Sequence, residues 1–138
     1  MGTKDHGQDP RRLAAALAFV SQGIHLWVLP GQLAAAMPPG VFFFLVAVGQ
    51  GLLGASLLFG GGRWTARFGV LLNVFVVLVW LLTRAVSLPQ LFEPVKLPVE
   101  GLGAAATSVE VAIVVSLMRL GRSLRRKKKL ERALRAEL

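Results

Sequence analysis

Four apolar runs, each close to twenty residues long and parted by breaks carrying glycine or proline, take up most of this chain. They cover 13–29, 41–59, 68–88 and 101–120. A helix rising ~1.5 Å per residue needs about 20 residues to cross ~30 Å of hydrocarbon, so each run has the length of one crossing. A domain of 138 residues has too little interior to hide four such runs from water. Lipid is therefore the expected solvent, and it dictates the secondary structure. Backbone amides surrounded by acyl chains must pair within their own segment, which forces helices. The expected fold is all-α, a polytopic membrane protein whose four transmembrane helices form an up-down bundle. Residues 1–10 are expected to be a disordered tail, 11–120 the transmembrane domain, and 121–138 a basic amphipathic tail.

The placement of charge supplies an orientation. Lys and Arg number 16 against 7 Asp and Glu, a balance that in a soluble domain would suggest nucleic acid or an anionic surface. Only 17% of residues are charged, below the ~25% of soluble domains, and the basic ones lie mostly outside the apolar runs. Short translocated loops avoid positive charge. Arg11, Arg12, Arg63, Arg67 and the cations from Arg119 onward flank one side, while the other has Lys96 and, at its edge, Arg84. Both termini are thus expected in the cytoplasm of a bacterium, with the 60–67 turn inside and loops at 30–40 and 89–100 outside. Trp27 and Trp80 would mark the outer interface and Trp64 the inner one. Arg11-Arg12, the first run and Ala34-Ala35-Ala36 imitate a signal peptide. The run exceeds the usual ~7–15-residue core of such peptides and contains Ser21, Gln22, Gly23 and His25, which favours a retained span.

Polar residues inside the runs are the informative ones, because ionisable groups in hydrocarbon are costly and face protein or water. Counting ~1.5 Å per residue from the inner boundary puts Gln22 about 15 Å deep, His25 about 20 Å, Glu110 about 14 Å and Arg84 about 25 Å. Gln50 arrives at a similar level on the descending second helix. Helical spacing places Ser21, Gln22 and His25 on one face, Asn73, Val77, Trp80, Arg84 and Ser87 on another, and Gly103, Thr107, Glu110 and Val114 on a third. The candidate cluster is His25, Glu110, Arg84, Gln22, Gln50, Trp80 and Thr107. Two uses are open to it. Glu110 paired with Arg84 would be a clasp that orients helices; Glu110 exchanging a proton with His25 would be a proton or cation path. Ala47, Gly51 and Ala55 recur every four residues as a helix-packing seam, within the bundle or between two copies.

Other chemistries find little footing. Cysteine is absent, which removes disulfides, thiolate metal sites and Cys nucleophiles from this chain. His25 is the only histidine in the runs, so two-histidine haem or copper ligation would need a second subunit. HExxH, GxSxG, GxGxxG and the phosphate loop are all missing, and 60–62 lacks the Lys-Ser/Thr that would make it one. No metal, cofactor or enzymatic activity is expected. The prolines of SLPQLFEPVKLPVEG forbid a regular helix there, so an extended cap is expected over the outer mouth. The basic run Arg125, Arg126, Lys127, Lys128 and Lys129 is expected to hold anionic lipid head groups of the inner leaflet. Nucleic acid is not expected, since no base-stacking aromatic accompanies the run. A homo-oligomer or a larger membrane complex remains open.

His25 and the stretch Thr83-Arg84-Ala85-Val86-Ser87-Leu88-Pro89 resemble a set of small four-helix membrane proteins from high-GC bacteria. In that set a histidine lies in the first span, a Ser/Thr-Arg-Thr-x-Gly-Leu-Pro element closes the third, and an acidic residue lies in the fourth, a place that Glu110 matches. Ala85, Ser87 and Gly31-Gln32 depart from the pattern, the last where an acidic-His pair is expected, which argues against a metal role. The resemblance implies the four-span layout and a shared polar cluster. The set has no settled reaction to pass on.

Overall fold

The computed structural model describes residues 9–85 and 100–136, and within them the chain is four helices. They are α1 (Pro10–Ala35), α2 (Met37–Leu58), α3 (Arg63–Ala85) and α4 (Glu100–Ala136). All four are long and apolar enough to cross a membrane. Residues 1–8, 86–99 and 137–138 lie outside the described residues, and with them the expected N-terminal tail and most of the outer cap.

Each helix end has a local cause. Asp9 accepts the Arg11 backbone N–H at 3.1 Å and Pro10 takes the first helical position, where a missing N–H costs nothing. The chain is therefore already helical at Pro10, inside the segment expected to be a tail. The expected loop at 30–40 is a larger correction. Helix α1 runs through Pro30 to Ala35, and only Ala36, in an extended conformation, separates it from α2. The Ala36 N–H donates to the Gln32 carbonyl and the Gly40 N–H to the Ala36 carbonyl, so the joint is hydrogen-bonded on both sides. Pro38 and Pro39 fall in the first turn of α2, where the helix needs no donor from them. Pro30, expected to break the chain, is instead carried inside α1. One result is that Trp27 lies about 12 Å short of the end of α1 rather than at it.

The α2–α3 turn is closed by glycine. Gly60 has φ +96°, its N–H reaches the Leu57 carbonyl at 3.5 Å, and the Gly61 N–H donates to the Ser56 carbonyl at 2.7 Å. This is a Schellman ending, with the left-handed residue just past the helix. A side chain at Gly60 would clash with the neighbouring carbonyl, so Gly60→Val is expected to cost about 1–2 kcal/mol. Thermal unfolding in detergent, followed by far-UV circular dichroism, checks it, and an unchanged midpoint would contradict the strain.

The helices pack around a ring. Helix α1 packs along α2 and α4, and α3 along α2 and α4, while the backbones of the diagonal pairs do not approach closely among the described residues. Gly40 lies against Leu33, Gly51 against Gln22 and Gly54 against the Phe19 ring, which sets α1 and α2 antiparallel in one register. Gly49 against Leu72 and Gly69 against Leu53 do the same for α2 and α3. Ile113, Leu117 and Leu120 cluster with Ala14, Ala15, Ala18, Leu53, Leu57 and Ala66, whereas Glu110 meets His25 farther along α1. Helix α4 therefore descends beside α1, and the bundle is up-down.

Beside the leucines and Ile113 of that cluster, its interior is built from small and polar side chains. Ala14, Ala18, Ala47, Ser21, Gln50 and Asn73 are fully enclosed, while Leu52, Leu71, Phe75, Trp27 and Trp64 face outward. No more than a third of any helix's apolar window is buried. Many large apolar side chains outside and a polar layer inside fit association in lipid, where small residues let backbones approach. Beyond Leu124, α4 leaves the bundle and continues to Ala136 with every side chain exposed.

Candidate functional site

One turn beyond the apolar cluster, toward the Ala36 end, the core becomes polar. Ser21 lies one turn past Ala18 on α1, Gln50 one turn before Leu53 on α2, Asn73 one turn past Gly69 on α3, and Glu110 one turn before Ile113 on α4. The antiparallel registers bring these residues and His25 to nearly one level. Ser21, His25, Gln50, Asn73 and Glu110 are all buried, with exposures between 0% and 3%. Helical spacing explains the inward turn: Ser21 and His25 are four residues apart and follow Ala14 and Ala18 along the same face.

Two polar pairs bridge two of the four helix interfaces. His25 Nε2 on α1 is 3.3 Å from Glu110 Oε1 on α4. Gln50 Nε2 on α2 donates to Asn73 Oδ1 on α3 at 2.8 Å, and Asn73 Nδ2 donates to the Gly69 carbonyl of its own helix at 2.8 Å. The Phe43 ring stands 5.5 Å from the imidazole at 59°, an apolar wall on the α2 side. The His25–Glu110 approach is a close polar contact without hydrogen-bond alignment. Ser21 Oγ, both His25 nitrogens, Gln50 Oε1 and Glu110 Oε1 consequently have no hydrogen-bond partner among the described residues. Such orphans are costly in a medium without water. Most of these atoms can accept a hydrogen bond, so the layer suits a proton, water or another donor better than an anion.

The sequence candidates divide into those that meet and those that do not. His25 and Glu110 meet directly, and Gln50 joins the same layer through Asn73 rather than through His25. Gln22, half-buried, lays its amide over Gly51 in the α1–α2 seam. Thr107 donates its hydroxyl to the Gly103 carbonyl at 2.9 Å, within its own helix. Trp80 is half-buried, its carbonyl accepting from the Thr83 hydroxyl. The Arg84 side chain and Ser87 lie outside the described residues, so the Glu110–Arg84 pairing has no geometry here. On α3, Val76 is buried while the expected Val77 is half-buried. Of the seam residues, Ala47 is enclosed, and Gly51 and Ala55 are half-buried. The glycines that carry the α1 side chains are Gly40, Gly51 and Gly54, of which only Gly51 was expected. Ser21 and Asn73 stood on the expected faces but outside the expected cluster; their spacing from Ala18 and Gly69 was the signal. Among the described residues no three His, Asp or Glu side chains gather as a metal site would require.

No family model, curated protein or solved structure matches the chain.

Proposed function

We propose that this chain is a multi-pass protein of the bacterial inner membrane, with both termini cytoplasmic. In this reading it is a non-enzymatic accessory or assembly subunit, and its buried polar pairs hold the helices in register. The observation that carries the reading is the complementarity of the two pairs, His25–Glu110 across α1 and α4 and Gln50–Asn73 across α2 and α3. The α1–α2 interface, by contrast, closes through glycines and alanines. Polar contacts are a means of fixing which helices meet where apolar burial cannot discriminate, since lipid is as apolar as leucine. The orientation rests on Arg11, Arg12, Arg63, Arg67 and the α4 cations sharing one end of the bundle. Exposure of α4 to Ala136 leaves a surface for a larger membrane complex. Since the native chain has no cysteine, single-cysteine variants test the topology without background. Thr3→Cys and Ala136→Cys are expected to react only after the inner face is opened, and Gln90→Cys from outside. Labelling of the two ends from opposite faces would overturn the proposal.

A second reading is favoured by the orphaned acceptors. Ser21 Oγ, His25 Nδ1, Gln50 Oε1 and Glu110 Oε1 would serve a small proton- or cation-linked transporter or ligand-binding protein, with Arg84 as its outer cation. Glu110→Gln separates the two. A clasp loses thermal stability or partner recovery, whereas a proton site keeps its fold and loses pH-dependent flux in vesicles.

A further inference from the structure

The cations at one end of the bundle are sorted by type. Leu120 is the last buried residue of α4 and clusters with Ala14, Ala15 and Ala66, which sets Arg119 to Arg126 level with the starts of α1 and α3. From Arg11 to Arg126, every cation whose side chain is described is an arginine; the lysines begin at Lys127. Asp9 is the one described carboxylate at this rim, and it is engaged in capping α1. Arg11 reaches toward the Gly61 carbonyl at 3.5 Å, and the Arg67 guanidinium lies 5.0 Å from the centre of the Trp64 ring. On α4, Arg119, Arg122, Ser123, Arg126 and Lys127 line one shallow hollow, spaced so that they share a face.

Level and chemistry point to one occupant. Because α4 stays helical to Ala136, it leaves the bundle as a stalk. Arg122 and Arg126 then lie about 3 Å and 9 Å beyond Leu120, close to the head-group layer of roughly 5–7 Å per leaflet, whereas Lys129 stands about 13 Å out. A guanidinium grips phosphate oxygens through two parallel N–H donors, which an ammonium cannot do. The row from Arg119 to Arg126 is about 10 Å long, more than a single phosphate fills.

We propose that the Arg119, Arg122, Ser123 and Arg126 face of α4 is a binding site for an anionic lipid bearing two phosphates. This places the main lipid contact one to two turns nearer the bundle than the 125–129 run, and it rests on the membrane reading above.

Titration of the intact, detergent-solubilised protein with lipid, read by native mass spectrometry, tests it. Tetra-acyl diphosphatidylglycerol, phosphatidylglycerol and phosphatidylcholine are compared. The two-phosphate lipid is expected to bind at least about tenfold more tightly than the one-phosphate lipid, and R119Q/R122Q/R126Q to abolish that preference. R119K/R122K/R126K, which keeps the charge, is expected to lose most of it as well. K128Q/R132Q/R135Q removes the same charge from the opposite side and is expected to stay within about threefold of the wild type. Equal losses in the two glutamine variants, or wild-type binding by the lysine variant, would overturn the proposal. So would inorganic pyrophosphate competing as well as the lipid, which would make the ligand a free phosphate compound. These side chains are exposed, so each variant should keep the wild-type circular dichroism melt; a variant that does not is replaced by its single substitutions. Recovery of the wild-type chain in the soluble fraction would be a failure of the membrane reading, distinguishable from a failure of the site.

Discussion

Glu110→Leu is expected to lower the unfolding free energy by about 2 kcal/mol, and His25→Leu by a similar amount. Each single change leaves a polar group in the core without its counterpart: an imidazole 3% exposed, or a carboxyl 1% exposed, in a layer that already holds orphaned acceptors. The double substitution removes both needs at once. It is therefore expected to be less destabilised than the sum of the singles, with a coupling of about 1–2 kcal/mol. Denaturant unfolding in detergent, followed by circular dichroism on the four members of the cycle, measures it. Strict additivity would show that the 3.3 Å approach is a neighbourhood and not an interaction, and α1 and α4 would then be joined by their apolar contacts alone. The sign matters more than the size. Transmembrane hydrogen bonds are often weak, since the separated helices also find partners, so a coupling above 1 kcal/mol would mark this pair as unusually well placed.

Gly69→Leu is expected to cost about 3 kcal/mol, the upper end of what overpacking does. At Gly69 three helices converge. A Cβ there would overlap the Leu117 side chain of α4 and lie 2.7 Å from a Leu53 methyl of α2, and both leucines are 1% exposed. The Gly69 carbonyl also receives the Asn73 amide, so a displaced α3 backbone would disturb the Gln50–Asn73 pair one turn away. Leu117→Ala in the same chain opens room on the α4 side and is expected to recover more than half of the loss. Thermal unfolding of the single and double variants provides the comparison. A Gly69→Leu protein as stable as the wild type would mean that the convergence is loose enough to absorb a side chain.

Helix number was legible in the sequence because lipid imposes a length scale that each apolar run must reach. The helix ends were less so. Pro30 reads as a breaker in isolation, yet the helix passes through it and turns only at Ala36, after which Pro38 and Pro39 suit the first turn of the next helix. Depth and spacing brought His25 and Glu110 into one candidate cluster but left Glu110 open to either Arg84 or His25, of which the structure shows the approach to His25. Depth did not resolve azimuth. Gln50, at the same height, turns to Asn73, and Gln22 turns to Gly51, because helix rotation is decided by small residues such as Gly54 and Gly69 whose role emerges only from the neighbour they admit. Arg84, assigned to the cluster by periodicity, has its side chain outside the described residues.

The unbroken course of α4 also has a mechanical side. From Leu124, where it is last gripped, to Ala136 it extends about 18 Å with nothing packed against it. A stiff rod held at one end acts as a lever, so a tilt of about 10° at the grip would sweep its tip through roughly 3 Å. Small rearrangements among the enclosed side chains would thus be magnified at a place that a partner in the aqueous phase can feel.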